Sequence, residues 1–360
     1  MIISKTLSGK MFQQLTMRIL KIDACYHLLF LYDYKVFVLV TLPTLPHTSR
    51  LKEMQFYKLA WREGSRLCTN VGWPLNKIDL GGLPTGRFGN GRVFSDMIAE
   101  GLGLKNLLPA YRNPALSSND LVTGVCFASG GSGLDSITAR IQGVIWVQDQ
   151  VRDFQNYISR LNGVVGSQEK TNEIISNAVY LISAGNNDIA ITYFTTVTRR
   201  LQYALPAYTD LLVTWTRDLI KSLYDMGARK FAVMGTLPLG CLPGARSSIA
   251  NLFKVCEVFS NQAAAMFNQK LSVELDNLGA TFPGAKFMYV DMYNPLMGLI
   301  NNPQASGFVD AADGCCCTPT SIMPCLDASS YVFWDIAHPT QKSYQTITPN
   351  IIQDIKAKLA

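Results

Sequence analysis

From about Cys68 to the C-terminus, short β-branched runs alternate with longer stretches in which apolar residues recur every three to four positions. That alternation is the signature of a sheet of parallel strands covered by amphipathic helices. It predicts strands over Val122–Ala128, Ala178–Ser183, Lys230–Gly235 and Lys286–Asp291. Helical periodicity predicts helices over Ser95–Leu104, Gly143–Leu161, Leu201–Met226, Leu252–Leu278 and Pro339–Leu359. Ser95 and Thr340 occupy N-cap positions in this reading, and Gly227 and Gly279 fit helix ends. With no internal repeat and no low-complexity linker, residues 68–360 read as one α/β domain. Residues 1–67 are different: apolar positions are scattered, and only "KVFVLV" (35–40) has the composition of a strand.

Composition narrows the class. Of 360 residues, 48% are hydrophobic and 16% charged, a balance that supports a large folded core rather than a disordered chain. The net charge of +6 would invite a nucleic-acid reading if it were spread over the body. Residues 1–67, however, hold 10 Lys and Arg against 4 Asp and Glu, and residues 68–360 hold 22 of each. The neutral body gives no electrostatic reason to bind a phosphate backbone, so no nucleic-acid partner is expected. The stretch "CYHLLFLYDYKVFVLVTLP" (25–43) is interrupted by Asp33 and Lys35 and lies too far from the start for a clean signal peptide. It is equally too broken for stable membrane insertion.

Nine cysteines crowd toward the C-terminal half. "GCCCTPTSIMPC" (314–325) has no paired CxxC spacing and only His338 as a nearby histidine, so a zinc site is not expected. Disulfides in an oxidising compartment are the better use, with at least one thiol left over because the count is odd. Cys126, in an apolar run, reads as a buried core thiol.

Ligands of open parallel sheets bind at the carboxyl ends of the strands. Three segments follow predicted strands or lead into a helix there: "SGGSG" (129–133), "AGNNDI" (184–189) and "YVFWDIAHPTQ" (331–341). Glycines at 130 and 131 leave backbone N–H groups accessible, and an Asn side chain can donate to a developing oxyanion. Asp335-x-x-His338 offers a histidine base with a carboxylate close enough to hold its Nδ1–H. Each alone is a weak pattern: a flexible turn, an Asx-turn and a surface Asp beside a capping His are the plainer readings. His27 and His47 lie in the atypical N-terminal segment, so a histidine base in the body must be His338.

Taken in order, the blocks "GGLPTGRFGNGRVFSDMIAEGLGL" (81–104), "GVCFASGGSG" (124–133), "LISAGNNDI" (181–189), "GARKFAVMGTLPLGCLPGAR" (227–246) and "YVFWDIAHPTQKSYQ" (331–345) resemble the SGNH hydrolases, in particular the plant GDSL esterase/lipase family. The resemblance implies a three-layer α/β/α sandwich with a central parallel, flavodoxin-like sheet. It implies hydrolysis of carboxylic esters or lipids by a Ser-His-Asp triad with no metal and no cofactor. His338 would be the general base, Asp335 its orienting acid, and Gly131 (or Gly130, if the loop slips by one) with Asn187 the oxyanion donors. Secretion, and disulfides among Cys241, Cys256, Cys315, Cys316 and Cys325 with the pairing open, are implied in the same way.

Two blocks depart from the family pattern, with Cys126 where Asn is common and Gly89 where Ser is usual. A larger departure is the nucleophile. The family carries it in a Gly-Asp-Ser-Leu motif after a central first strand, which here would fall near Met54 in "RLKEMQFYKLAW" (50–61), where there is no serine. Ser49 and Ser65 lack the Gly-Asp context, and no G-x-S-x-G elbow occurs in the body. One expectation is that "KVFVLV" replaces the first strand and ends near Thr41 and Leu42, with Thr41 or Thr44 offering a hydroxyl. The chain is then either an ester hydrolase with an altered N-terminus or an inactive pseudo-hydrolase that binds ligands in the same pocket.

Overall fold

The computed structural model describes residues 37–40, 86–247, 251, 253–318 and 324–359. Its main sheet contains β1 (Phe37–Val40), β2 (Val125–Cys126), β3 (Val179–Ser183), β4 (Lys230–Met234) and β5 (Lys286–Val290), in the order β2-β1-β3-β4-β5. β3, β4 and β5 are parallel, with Val179 level with Lys230 and Lys230 level with Lys286. All five residues of β3 are buried, which requires cover on both faces of the sheet. That cover makes the architecture a three-layer α/β/α sandwich.

The covering helices are α1 (Phe94–Gly101), α2 (Ser118–Thr123), α3 (Ser136–Gln142), α4 (Val147–Val165), α5 (Gln168–Asn177), α6 (Leu205–Asp225), α7 (Pro243–Arg246), α8 (Val258–Thr281), α9 (Tyr293–Asn301) and α10 (Gln341–Leu359). α1 packs on α10, which lies against β4 and β5, while α6 packs on α8 and α8 on β5. A line of rings crosses the core from α4 to β5: Phe154 to Tyr180, Tyr180 to Phe231 and Phe231 to Phe287, at centroid distances of 5.6, 5.5 and 5.2 Å. Aromatic pairs of this geometry add about 0.5–1.5 kcal/mol each beyond their buried area.

Local chemistry moves several boundaries away from the periodic pattern. Ser117 and Asp120 form a reciprocal cap that draws residues 118–123 into α2, so the strand expected from Val122 begins only at Val125. Ser95 lies inside α1 rather than at its cap, because Asp96 takes the Val93 N–H at 3.0 Å and the helix begins one residue earlier. Gly143 ends a separate helix, α3, in a left-handed conformation, so the helix expected from Gly143 begins only at Val147. Glu257 caps α8 by accepting from Phe259 and Ser260 N–H at 2.8 and 2.6 Å, which delays that helix to Val258. Gly279 lies within α8, whereas Gly227 does follow the end of α6 and Thr340 does cap α10, its hydroxyl accepting from Ser343 N–H at 3.3 Å.

β1 is the strand expected from "KVFVLV", and it sits inside the sheet between β2 and β3. Its direction differs from the expectation: it runs antiparallel to both neighbours, with Phe37 opposite Ile182 and Val40 opposite Val179. The chain therefore leaves β1 at the amino end of β3, four positions and about 13 Å from Ser183 at 3.3 Å per residue. A strand ending beside the site in the manner of the family's first strand is thus ruled out. Thr41, Leu42, Thr44, Ser49, Met54 and Ser65 themselves lie outside the described residues, as does most of the 1–67 segment.

Three disulfides join Cys241 to Cys256, Cys315 to Cys325 and Cys316 to its sequence neighbour Cys317. All five cysteines implied by the resemblance are bridged, and Cys317 completes the set. Cys126 is buried on β2 and belongs to none of these bridges.

Candidate active site

Two short parallel strands, β6 (Asp310–Gly314) and β7 (Tyr331–Phe333), deliver the histidine block. Beyond β7 the chain reverses, Trp334 N–H donating to His338 O at 2.7 Å. Asp335 fills the turn: its Oδ1 accepts from the N–H groups of Ala337 and His338, both at 2.8 Å. Folded back in this way, the carboxylate meets His338 Nδ1 at 2.8 Å from Oδ1 and 2.7 Å from Oδ2. The D-x-x-H spacing is what makes this possible, because an Asx-turn brings a carboxylate over residues two and three positions later. Asp335 is 6% exposed and His338 2%, so their interaction is shielded from solvent.

Neighbouring blocks fix this turn. A Cβ on Gly314 would lie 2.6 Å from Asp335 O and 2.8 Å from its Cα, so the backbone of Asp335 rests directly on the glycine. The Phe88 ring lies 5.5 Å from the imidazole. Asn90 and Arg92 hold the first residue of α10: Gln341 N–H donates to Asn90 Oδ1 at 2.8 Å, and Gln341 Oε1 accepts from Arg92 N–H at 2.7 Å. Here the "GRFGNGR" block shows its use, as a clamp on the helix that follows His338.

The Asn187 and glycine loops lie at the carboxyl ends of β3 and β2. Gly131 has φ +80°, and its N–H makes no backbone hydrogen bond among the described residues. Asn187 is buried, donates from Nδ2 to Ser132 O at 2.8 Å and leaves Oδ1 without a partner among the described residues. Asn186 Oδ1 accepts from Leu237 N–H at 2.9 Å, and Gly244 N–H donates to Ile336 O at 2.7 Å. These bonds run from the glycine loop, through the loops after β3 and β4, to the turn that holds Asp335 and His338. They link the segments that carry Asn187, Asp335 and His338, and Gly131 adjoins them only through its neighbour Ser132. Among the described residues no group of three or more His, Cys, Asp or Glu side chains is placed to hold a metal ion.

Sequence reading did not single out Asp188. It is fully buried and accepts from Leu134 N–H at 3.1 Å, Asp135 N–H at 2.9 Å and Thr138 Oγ1 at 2.7 Å. Burial pushes its carboxyl up to about 6, against the lowering effect of those three donors. The folded state therefore holds the proton more tightly than the unfolded chain, whose carboxyl titrates near 3.8. The associated stability is present below about pH 4 and is lost as pH rises through 6, an effect of about 3 kcal/mol. Asp188→Asn cannot ionise and is expected to show a flatter Tm against pH between 4 and 7. Superimposable curves for the two proteins would show that Asp188 does not titrate in this way.

A buried carboxylate–imidazole pair on a chain with a largely parallel α/β/α sheet is the arrangement to set beside known hydrolases. The GDSL-like lipase/acylhydrolase family model matches residues 64–351. The chain belongs to that family. It is 78% identical over 288 residues to GDSL esterase/lipase At1g73610 of Arabidopsis thaliana, covering 80% of this chain and 83% of that protein. GDSL esterase/lipase At1g23500 of the same plant is 69% identical over 288 residues, with the same coverage. GDSL esterase/lipase EXL4, also from Arabidopsis thaliana, is 49% identical over 291 residues, covering 80% of this chain and 84% of that protein.

Proposed function

We propose that the chain is a serine-type carboxylic ester hydrolase acting on small ester or lipid substrates. The observation that carries this reading is the buried bond from His338 Nδ1 to Asp335. With Nδ1–H given to the carboxylate, Nε2 is the basic nitrogen. It takes the proton of the attacking hydroxyl as that oxygen bonds to the ester carbonyl carbon, and it returns the proton to the leaving alkoxide. Water then repeats the sequence on the acyl-enzyme. Gly131 N–H and the second hydrogen of Asn187 Nδ2 donate to the oxyanion. No metal or cofactor has a step in this scheme.

The division into an atypical segment, 1–67, and a hydrolase domain, 68–360, is part of the proposal, supported by a family match that begins at residue 64. Extracellular location is proposed as well, and three disulfides support it because such bonds persist in oxidising compartments. Among the described residues no helix is long and apolar enough to cross a membrane. A neutral body supports a reading without nucleic acid.

The reversed direction of β1, together with the missing Gly-Asp-Ser-Leu block, favours a second reading in which the chain binds ester-like ligands without turning them over. A fluorophosphonate probe separates the two. Under the first reading, peptide mass spectrometry finds one adduct within residues 41–65 that disappears in His338→Ala. Folded protein that takes up no probe supports the second reading instead.

A further inference from the structure

Asn187 and Asp188 are adjacent in sequence, yet their side chains hold different parts of one turn. Asn187 Nδ2 donates to Ser132 O at 2.8 Å, while Asp188 gathers Leu134 N–H, Asp135 N–H and the Thr138 hydroxyl. Gly133, between them, lies so close to the Asp188 carboxylate that a Cβ has no room. Residues 133–138 are therefore wrapped around a single carboxylate. Thr138 is also bonded to Thr192 at 2.7 Å, which closes the wrap onto the segment that follows Asp188.

An outer ring keeps this arrangement in place. Asp135 caps α3 through Ile137 N–H at 2.9 Å and pairs with Arg199 at 2.6 and 3.0 Å. Tyr208, on α6, reaches Asp135 Oδ2 at 3.3 Å and Asp188 O at 3.5 Å. The charged and titratable groups facing Asp188 are thus Asp135, Arg199 and Tyr208. Arg199 pairs with Asp135, and no cation among the described residues pairs with Asp188. Burying a carboxylate without a cation is costly, and a latch that only joined two loops could be apolar. What an apolar latch cannot do is collect several N–H and O–H donors at fixed distances from one point.

We infer that Asp188 is a positioning residue: it fixes the 131–138 turn against Asn187 so that the Gly131 N–H and the Asn187 amide converge on one substrate oxygen. The inference rests on the assignment of those two groups as oxyanion donors in the proposed function. It differs from a packing role in what it controls, which is the relative placement of two donors contributed by different strands. A displacement of about 1 Å between such groups costs on the order of 100-fold in rate.

Two readouts on the full-length protein test it. In steady-state hydrolysis of p-nitrophenyl butyrate, Asp188→Asn is expected to lower kcat about 100-fold with KM within about threefold, the pattern of an interaction made in the transition state. Thr138→Val, which removes one of the three donors and is milder on folding, is expected to lower kcat about tenfold. Unchanged kcat in both variants, or a raised KM with kcat intact, overturns the inference. Independently of turnover, the ¹⁵N resonances of Gly131 N–H and Asn187 Nδ2 are expected to titrate together in the wild type with one midpoint near 6, and to be displaced and flat in Asp188→Asn. If either resonance ignores both pH and the substitution, the inference is overturned. If the wild type hydrolyses no ester, the hydrolase reading fails, and the resonances alone decide whether Asp188 positions the pair.

Discussion

His338→Ala is expected to lower turnover of p-nitrophenyl butyrate about 10⁶-fold, the scale of loss when the base of a serine hydrolase triad is removed. The magnitude follows from the arrangement around the ring. His338 is 2% exposed and its Nδ1 is held by both Asp335 oxygens, so neither a rotamer change nor bulk water readily supplies a second base there. Asp335→Asn should be milder, about 10⁴-fold, because the imidazole remains but its tautomer is no longer enforced. The order of the two variants matters as much as their size. If Asp335→Asn lost as much activity as His338→Ala, the carboxylate would be doing more than orienting the ring. Equal rates for His338→Ala and wild type would sink the triad reading outright.

Gly314→Ala should be the most damaging single-methyl change near the site. The added Cβ would meet Asp335 O, C and Cα at 2.6, 2.7 and 2.8 Å, all of them backbone atoms that cannot rotate away. Either β6 separates from β7 or the Asp335 turn is displaced, and both outcomes loosen the grip on His338. Overpacking of this kind costs about 1–3 kcal/mol, and the upper end suits a backbone clash, giving in a chain of this size a fall in Tm of roughly 4–5 °C. Ester turnover should fall about 100-fold in the same protein, since the imidazole loses its set position. Gly163→Ala, on α4 with nothing within 4 Å of the new Cβ, is the matched control and should be neutral or slightly stabilising. Thermal melts and kcat for the two variants check the argument; a wild-type melt for Gly314→Ala would show that β6 does not press on the Asp335 turn.

Much of this was legible in the chain itself. The strands Ala178–Ser183, Lys230–Gly235 and Lys286–Asp291 were readable to within a residue because each is a β-branched or aromatic run between helical periods. Asp335 with His338 was readable because the partners lie three positions apart, so a turn alone brings them together. Asp188 was not, since a carboxylate beside Asn187 looks like an exposed turn residue until the 132–138 loop, more than fifty positions away, folds over it. The direction of β1 was also hidden. Alternation and β-branching specify a strand and its faces but not its sense, which is set by the pairing partners. The starts of α1, α2 and α8 were set at caps, where single side-chain hydrogen bonds decide.

The Asp335–His338 turn and the loops gathered by Asp188 share a property: each closes on itself using residues beyond position 85. Among the described residues neither draws a side-chain hydrogen bond from β1, the four residues that run antiparallel to both neighbouring strands. On the proposed reading, base and anion donors are built within the body, and the attacking hydroxyl comes from another part of the chain. A hydrolase assembled like this can exchange its attacking group by replacing one terminal segment while the rest of its machinery stays built.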